Sequence, residues 1–416
     1  PTATQRPRNR DNHYTYRHDS DFFYLSGFKE SEAWLVLIAG DTNQSILFCE
    51  GKNPETEIWN GKRWGPQAAA EYFGFDQSYE VAELNQRMPE LMLGHAQLLT
   101  PLSNFSNHSL TSTIREWVGA AQRQSRGTRA TPVQWVDLCE PLAEMRLIKD
   151  TSELNIMREA AAISARAHVR AMQAARAGMH EYELEAELLH TFRKNGAQGV
   201  AYDSIVAAGA NACVLHHPAG NSIMQEGELV LIDAGCELEG YASDITRSFP
   251  VNGQFSGAQR ALYEIVLHAQ QAAIAHTSPE HHWNAGHEAA VRILTRGLLD
   301  EGLLQGTFEQ ALETSAYSRF YMHRTGHWLG MDVHDVGAYR MPPAGNQDRP
   351  WRMLEPNMVL TIEPGLYVRS ADDVPPAFWN IGIRIEDDAV VTAQGCELIS
   401  RGVPVEISEI EALMQE

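Results

Sequence analysis

Lysine all but disappears from this chain: the last one is Lys194, and more than half of the 416 residues follow it. The C-terminal part therefore has no lysine for a Schiff base or a pyridoxal mechanism, and none for a Walker-type phosphate loop. Neither a Gly-x-Gly-x-x-Gly nor a Gly-x-Ser-x-Gly pattern occurs. Cysteine is as scarce as lysine, five of each. Cys49, Cys139, Cys213, Cys236 and Cys396 are odd in number, scattered, and never in a Cys-x-x-Cys spacing, which argues against a disulfide framework and against a structural zinc site. Basic residues are outnumbered, 33 Lys and Arg against 54 Asp and Glu, for a formal charge of −21. Phosphate backbones need clustered cations, so nucleic acid is not expected as a partner. No apolar run approaches the ~20 residues that span a bilayer, and the first residues carry arginines without an apolar core, so a membrane partner is not expected and the location expected is cytoplasmic.

The chain is too long for one ordinary domain and long enough for two buried cores. Up to about residue 145, short strands such as Trp34–Ile38 and Ser45–Phe48 alternate with helical stretches, the pattern of a compact α/β domain. The boundary is expected at 148/149, giving an N-terminal domain over 1–148 and a second domain over 149–416. There Thr151 or Ser152, followed by Glu153, starts a helix in capping style that runs to about Ala177 and stops at Gly178. Further helices are predicted over Glu181–Asn195, Ser256–His276 and Asn284–Glu301. The last third is rich in β-branched residues and Pro-Gly turns. A mixed α+β layer follows as the simplest architecture.

Four carboxylates and one histidine stand out in that second domain: Asp233 in Leu-Ile-Asp-Ala-Gly, Asp244 in Ser-Asp-Ile-Thr-Arg, His327 in Thr-Gly-His-Trp, Glu363 in Thr-Ile-Glu-Pro-Gly and Glu386 in Arg-Ile-Glu-Asp-Asp. The four acids end or interrupt short apolar strand-like runs. Glu228–Asp233 and Tyr241–Phe249 read as two strands of a hairpin turning at Gly240. A hairpin centred between Leu238 and Glu239 would set Asp233 directly opposite Asp244, with Cβ atoms roughly 4.5–5.5 Å apart. Carboxylates that close share a proton or bind cations. Four of them balance two divalent ions in charge, which points to a two-metal site on the inner face of the sheet.

From about Lys149 onwards the sequence resembles the pita-bread metallopeptidases, which include methionine aminopeptidase, prolidase and aminopeptidase P. The order Asp, Asp eleven residues later, His, Glu, Glu is that family's ligand order. Leu215-His216, Met322-His323-Arg-Thr-Gly-His327, Asp332-Val-His334-Asp, Ile362-Glu-Pro-Gly-Leu-Tyr367 and Gly382-Ile-Arg-Ile-Glu-Asp-Asp388 look like the bacterial Xaa-Pro aminopeptidase type. So do Asp19–Phe28 and Glu57-Ile-Trp59 in the first domain. The resemblance implies an N-terminal α/β domain, its first residues missing here, ahead of a catalytic pita-bread domain. It implies release of the N-terminal residue from peptides with proline in second position, by a hydroxide shared between two metal ions. His327 and Glu363 would bind one ion, Asp233 the other, and Asp244 and Glu386 both. Oxygen-rich ligation with one imidazole suits Mn²⁺ first, with Co²⁺, Zn²⁺ or Fe²⁺ as alternatives.

By the same resemblance His216 and His334 stabilise the tetrahedral intermediate and Glu363 doubles as proton shuttle. His323 lies beside the substrate, and Tyr367 and Arg384 hold neighbouring carboxylates in place. His323 and Tyr367 wall the proline pocket, Trp59 closes it from a neighbouring subunit, and Arg349 meets the substrate backbone or its C-terminal side. A homo-oligomer, tetramer or dimer, is implied. His217, His281, His282 and His287 read as structural; His287-Glu-Ala-Ala-Val291 begins like a zinc motif but ends in valine. Arg340–Asn346 looks inserted relative to the family pattern, and Asn357 stands where glycine is usual, a substitution a left-handed turn tolerates. Two other functions remain open: a prolidase confined to Xaa-Pro dipeptides, and a metal-free binding protein on the same fold.

Overall fold

The computed structural model describes residues 1–102, 108–343 and 348–415; the inserted-looking segment Arg340–Asn346 lies outside the described residues from 344 onwards. The chain divides into two units, Pro1–Leu142 and Ala143–Glu416, the division falling within the helix Cys139–Leu147.

In the first unit, Trp34–Ile38 pairs antiparallel with Gln44–Cys49, which pairs parallel with Gln77–Glu80. The strand Gln44–Cys49 shows why helices flank it. Successive side chains point to opposite faces, so Ile46 and Phe48 enter one apolar cluster with Met88, Ile114 and Trp117, while Leu47 and Cys49 enter another with Phe22, Phe28 and Ala69. A strand buried on both faces needs cover on both. The alternation of strands and helices thus yields the α/β unit its sequence suggests.

The second unit is a mixed helix and strand domain around one large core. Its first long helix runs Thr151–Ala174, with Asp150 rather than Thr151 or Ser152 as N-cap: the Asp150 carboxylate accepts from the Ser152 and Glu153 amides while Glu153 reaches back to the Asp150 amide. Glu181–Lys194, Gly257–Ala275 and Ala285–Asp300 follow close to expectation. Strands Ile205–Ala208, Leu229–Asp233 and Thr246–Pro250 form an antiparallel sheet in the order first, second, third. Val359–Ile362, Asp387–Val391 and Cys396–Leu398 form another, and Gly365–Val368 pairs with Ile381–Arg384. The Ser248 hydroxyl and the Arg384 backbone, and the Glu386 amide and the Thr246 carbonyl, join these strands at the point where the acids gather. Asn357 adopts φ 72°, the left-handed turn expected of it.

The hairpin register differs from the expectation. Asp233 lies opposite Thr246, not Asp244, because the turn is centred between Glu239 and Gly240. Left-handed φ at both residues, 48° and 84°, makes this the preferred two-residue turn. The shift moves Asp244 to a diagonal position relative to Asp233, and diagonal neighbours keep the same face. The expected single strand from Tyr241 is broken at Ser243–Ile245, where the Ala234 amide bonds the Ile245 carbonyl. Gly235 permits that break: a Cβ there would lie 1.7 Å from the Ser243 carbonyl oxygen.

Candidate metal centre

Asp233 is the last residue of its strand, Asp244 sits in the break before Thr246, Glu363 follows Val359–Ile362, and Glu386 lies between Arg384 and Asp387, so each acid stands where the backbone leaves a ladder. Asp244, His327 and Glu386 offer one ligand atom apiece, all within 4.8 Å of one another. The His327 Nε2 stands 3.4 Å from Asp244 Oδ2 and 3.7 Å from Glu363 Oε1. Its Nδ1 donates to the Trp328 carbonyl at 2.9 Å, which leaves Nε2 with its lone pair towards the carboxylates once the ring is neutral. The loop that carries His327 is pressed onto the strand Val359–Ile362. A Cβ on Gly326 would sit 2.0 Å from the Thr361 carbonyl oxygen, and the Thr361 hydroxyl accepts from the His327 amide.

Neighbouring hydroxyls aim the acids. Tyr202 Oη lies 2.6 Å from Asp233 Oδ1 and 2.5 Å from Asp244 Oδ1, so one phenolic proton serves two carboxylates. The Thr246 hydroxyl donates to Glu386 Oε2 at 2.6 Å, and the Thr361 hydroxyl stands 3.4 Å from Glu363 Oε1. Arg384, 4 % exposed, spreads three donors over Asp233 Oδ2, Tyr367 Oη and Thr246 Oγ1. Tyr367 Oη in turn meets His323 Nε2 at 2.8 Å. Beneath them, Asp388 Oδ2 accepts the Asp244 amide, while its buried Oδ1 has no partner among the described residues.

Charge decides what this arrangement can hold. If all were ionised, Asp233, Asp244, Glu363 and Glu386 would carry four negative charges around one buried guanidinium, a surplus that desolvation makes costly. Burial, with the Asp233 charge next, raises the Asp244 pKa. Burial pushes Glu363 up to about 7 against the opposing pull of His327 and Arg384. Glu386 and Asp388 are raised well above the carboxylate range, by burial and then by the Asp244 charge. Burial pulls His327 down, but the hydrogen bond to Asp244 and the charge of Glu363 outweigh it and lift the ring to about 9. The protons that these shifts hold in the site occupy the places divalent cations would take. A donor set of hard carboxylate oxygens with one correctly oriented imidazole fits such cations.

Of the residues singled out in the sequence, Asp233, Asp244, His327, Glu363, Glu386, Arg384, Tyr367 and His323 come together in this way. His334 stands edge-on to His327, ring centroids 4.2 Å apart. Burial and then the His327 and His216 charges lower its pKa. His216 is exposed on the loop after Gly209–Cys213. Burial and Arg384 push His323 down to about 3, so it is a neutral ring at physiological pH. The Arg349 side chain is exposed, and its backbone carbonyl accepts from Arg340. Trp59, on the helix Pro54–Asn60 of the first unit, is 85 % exposed. Tyr202, Thr246, Thr361 and Asp388 went unnoticed in the sequence. Thr246, two residues from Asp244, and Asp388, two from Glu386, carried a spacing signal; Tyr202, 31 residues ahead of Asp233, carried none.

Known proteins share this arrangement of domains. The profile of metallopeptidase family M24 matches residues 155–393, and that of the aminopeptidase P N-terminal domain matches residues 1–99. The Xaa-Pro aminopeptidase of Escherichia coli is 42 % identical over 99 % of this chain and 92 % of its own length. That of Haemophilus influenzae is 40 % identical over 99 % of this chain and 91 % of its own. The structure of Pseudomonas aeruginosa aminopeptidase PepP superposes with a TM-score of 0.95 at 46 % identity, covering 100 % of this chain and 92 % of that one. Zinc-substituted E. coli aminopeptidase P in complex with product superposes at 0.94 with 41 % identity, covering 100 % and 92 %. With its second unit carrying the acidic centre and its first matching the companion domain, the chain belongs to metallopeptidase family M24, in its aminopeptidase P type.

Proposed function

We propose that the chain is an Xaa-Pro aminopeptidase that removes the first residue of peptides with proline second, using two divalent cations, Mn²⁺ first among them. The observation that carries this is the convergence of Asp244, His327 and Glu386 within 4.8 Å, with Glu363 and Asp233 adjoining and the carboxyl groups of Asp244, Glu363 and Glu386 held up by burial. The similarity to the E. coli and H. influenzae Xaa-Pro aminopeptidases supports the choice of substrate. His327 and Glu363 are assigned to one cation, Asp233 to the other, and Asp244 and Glu386 to both. When bound, such a pair polarises a carbonyl and supplies a nucleophilic water near neutral pH.

The chain's own residues do the rest. Tyr202, Thr246 and Thr361 hold the carboxylates to fixed rotamers, so the centre need not reorganise during the reaction. Arg384 fixes Asp233 and, through Tyr367, the ring of His323. His334 and His216 are assigned to the developing oxyanion, to which a neutral imidazole donates its N–H. Glu363, its carboxyl lifted by burial towards neutrality, takes a proton and returns it to the leaving nitrogen. An amide before proline has no N–H to grip, so the ring is held by shape, for which His323 and Tyr367 provide walls. Trp59 is assigned to the pocket of a neighbouring subunit in a tetramer or dimer, and Arg349 to the substrate backbone. The catalytic domain is taken as 149–416, the N-terminal domain as 1–148, and the location as cytoplasmic.

The test is hydrolysis of an Xaa-Pro-Yaa tripeptide beside the matching Xaa-Pro dipeptide. Cleavage of the tripeptide at the first bond is expected. Activity confined to the dipeptide would make the protein a prolidase, and none on either, with no metal bound, would make it a binding protein.

A further inference from the structure

Glu181 opens the helix Glu181–Lys194, yet it has no exposed surface and its carboxylate serves nothing in its own helix. Oε1 accepts from the Ala208 amide and from Asn211 Nδ2, both at 2.9 Å. Oε2 accepts from His217 Nε2 at 2.9 Å and from the Gly220 amide at 3.3 Å. Four donors drawn from residues 208 to 220 thus meet on one buried acid, and a loop that would otherwise lose much entropy on ordering is tied from its first residue to its last.

The same loop is held to the site from its other side. A Cβ on Gly382 would lie 2.2 Å from the Ala212 carbonyl oxygen, so the loop rests directly on the strand that ends in Arg384. The Arg369 guanidinium, just past the strand carrying Tyr367, donates to the Cys213 carbonyl at 2.9 and 3.3 Å. His216 lies between Cys213, held by Arg369, and His217, held by Glu181. Its neighbour His217 turns inward to Glu181, and His216, one residue back, is exposed.

We propose that Glu181 is a positioning residue: its carboxylate, acting through His217 and the 208–220 backbone, fixes His216 on a loop that rests against the strand ending in Arg384. This rests on the assignment of His216 to the oxyanion. Loss of the anchor lets His216 wander by an ångström or so, enough to cost about 10- to 100-fold in rate, in kcat rather than KM because the intermediate and not the bound peptide is affected.

The experiment measures kcat and KM for an Xaa-Pro-Yaa peptide with the manganese-loaded enzyme, in Glu181→Gln and His217→Ala, each with and without His216→Ala. Bound metal is measured throughout, with amide hydrogen exchange over 208–220 alongside. The expected result is a lower kcat at unchanged KM and metal content, faster exchange in the loop, partial rescue by His217→Gln, and no further loss when His216 is already alanine. If Glu181→Gln does not fold, the His217 pair decides. An equal loss in both backgrounds, or no loss in either variant, overturns the positioning role while leaving His216 its assignment. Wild-type kcat in His216→Ala alone with metals bound overturns that assignment instead.

Discussion

Stripping divalent cations should destabilise the second unit by an amount that grows with pH. Binding to the folded state alone stabilises by about 2.7 kcal/mol per site at one hundred times Kd. A unit of about 270 residues unfolds with an entropy of roughly 0.6 kcal/mol/K at ~2.1 cal/mol/K per residue. Each occupied site is therefore worth about 5 °C in Tm, and two about 9 °C. The pH dependence comes from the carboxyl groups that burial raises. Such a group adds stability below its unfolded value, about 4.3, and loses it as pH climbs through the folded value. With Glu363 at about 7 and Glu386 and Asp244 also raised, the metal-free protein loses stability between about pH 4.5 and 7. Each group contributes about 1.4 kcal/mol per pH unit across its own window. His168, which burial holds down to about 4, gains stability as pH rises from there to its unfolded value, but does so in both forms and cancels in the difference. Scanning calorimetry at pH 5, 6 and 7, with chelator and with excess Mn²⁺, reads the gap directly. A gap that is absent, or that does not widen with pH, would refute the charge argument.

Arg384→Lys replaces a planar fork that meets Asp233, Tyr367 and Thr246 by a single ammonium; kcat should fall about 10- to 100-fold with the circular dichroism spectrum kept. Gly326→Ala drives a methyl into the Thr361 carbonyl; urea unfolding should show a loss of about 3 kcal/mol, and metal content should fall with it. Trp59→Ala, at an 85 % exposed position, should change stability by no more than about 0.5 kcal/mol yet lower kcat/KM on Xaa-Pro-Yaa peptides. Unaltered kinetics at concentrations where the protein is oligomeric would remove Trp59 from the pocket.

The parts of the fold legible in the sequence were those that local physics decides. The helix Gly257–Ala275 starts where Ser256 and Gln259 cap each other's amides, and the strand Leu229–Asp233 is an unbroken apolar run. The acids were legible because charge at the end of such a run has no bland partner nearby. The register was not, since two hairpin centres one residue apart leave the same side chains on the same face. Only the left-handed pair Glu239-Gly240 separates them. Tyr202 was out of reach for another reason. It meets Asp233 and Asp244 by tertiary placement alone, and nothing in its neighbours distinguishes it from a core tyrosine. Glu181 likewise looks like an ordinary acid in a first helical turn until the loop that surrounds it is folded.

The most direct measurement is a titration of the metal-stripped protein with Mn²⁺, following bound ion and hydrolysis of an Xaa-Pro-Yaa peptide together, in the wild type and in Glu386→Ala. Activity that rises with binding and saturates at two ions per chain, and that Glu386→Ala loses along with its metal, is the predicted result. Full turnover in the presence of chelator, or a Glu386→Ala variant that binds two ions and hydrolyses the peptide at the wild-type rate, would contradict it.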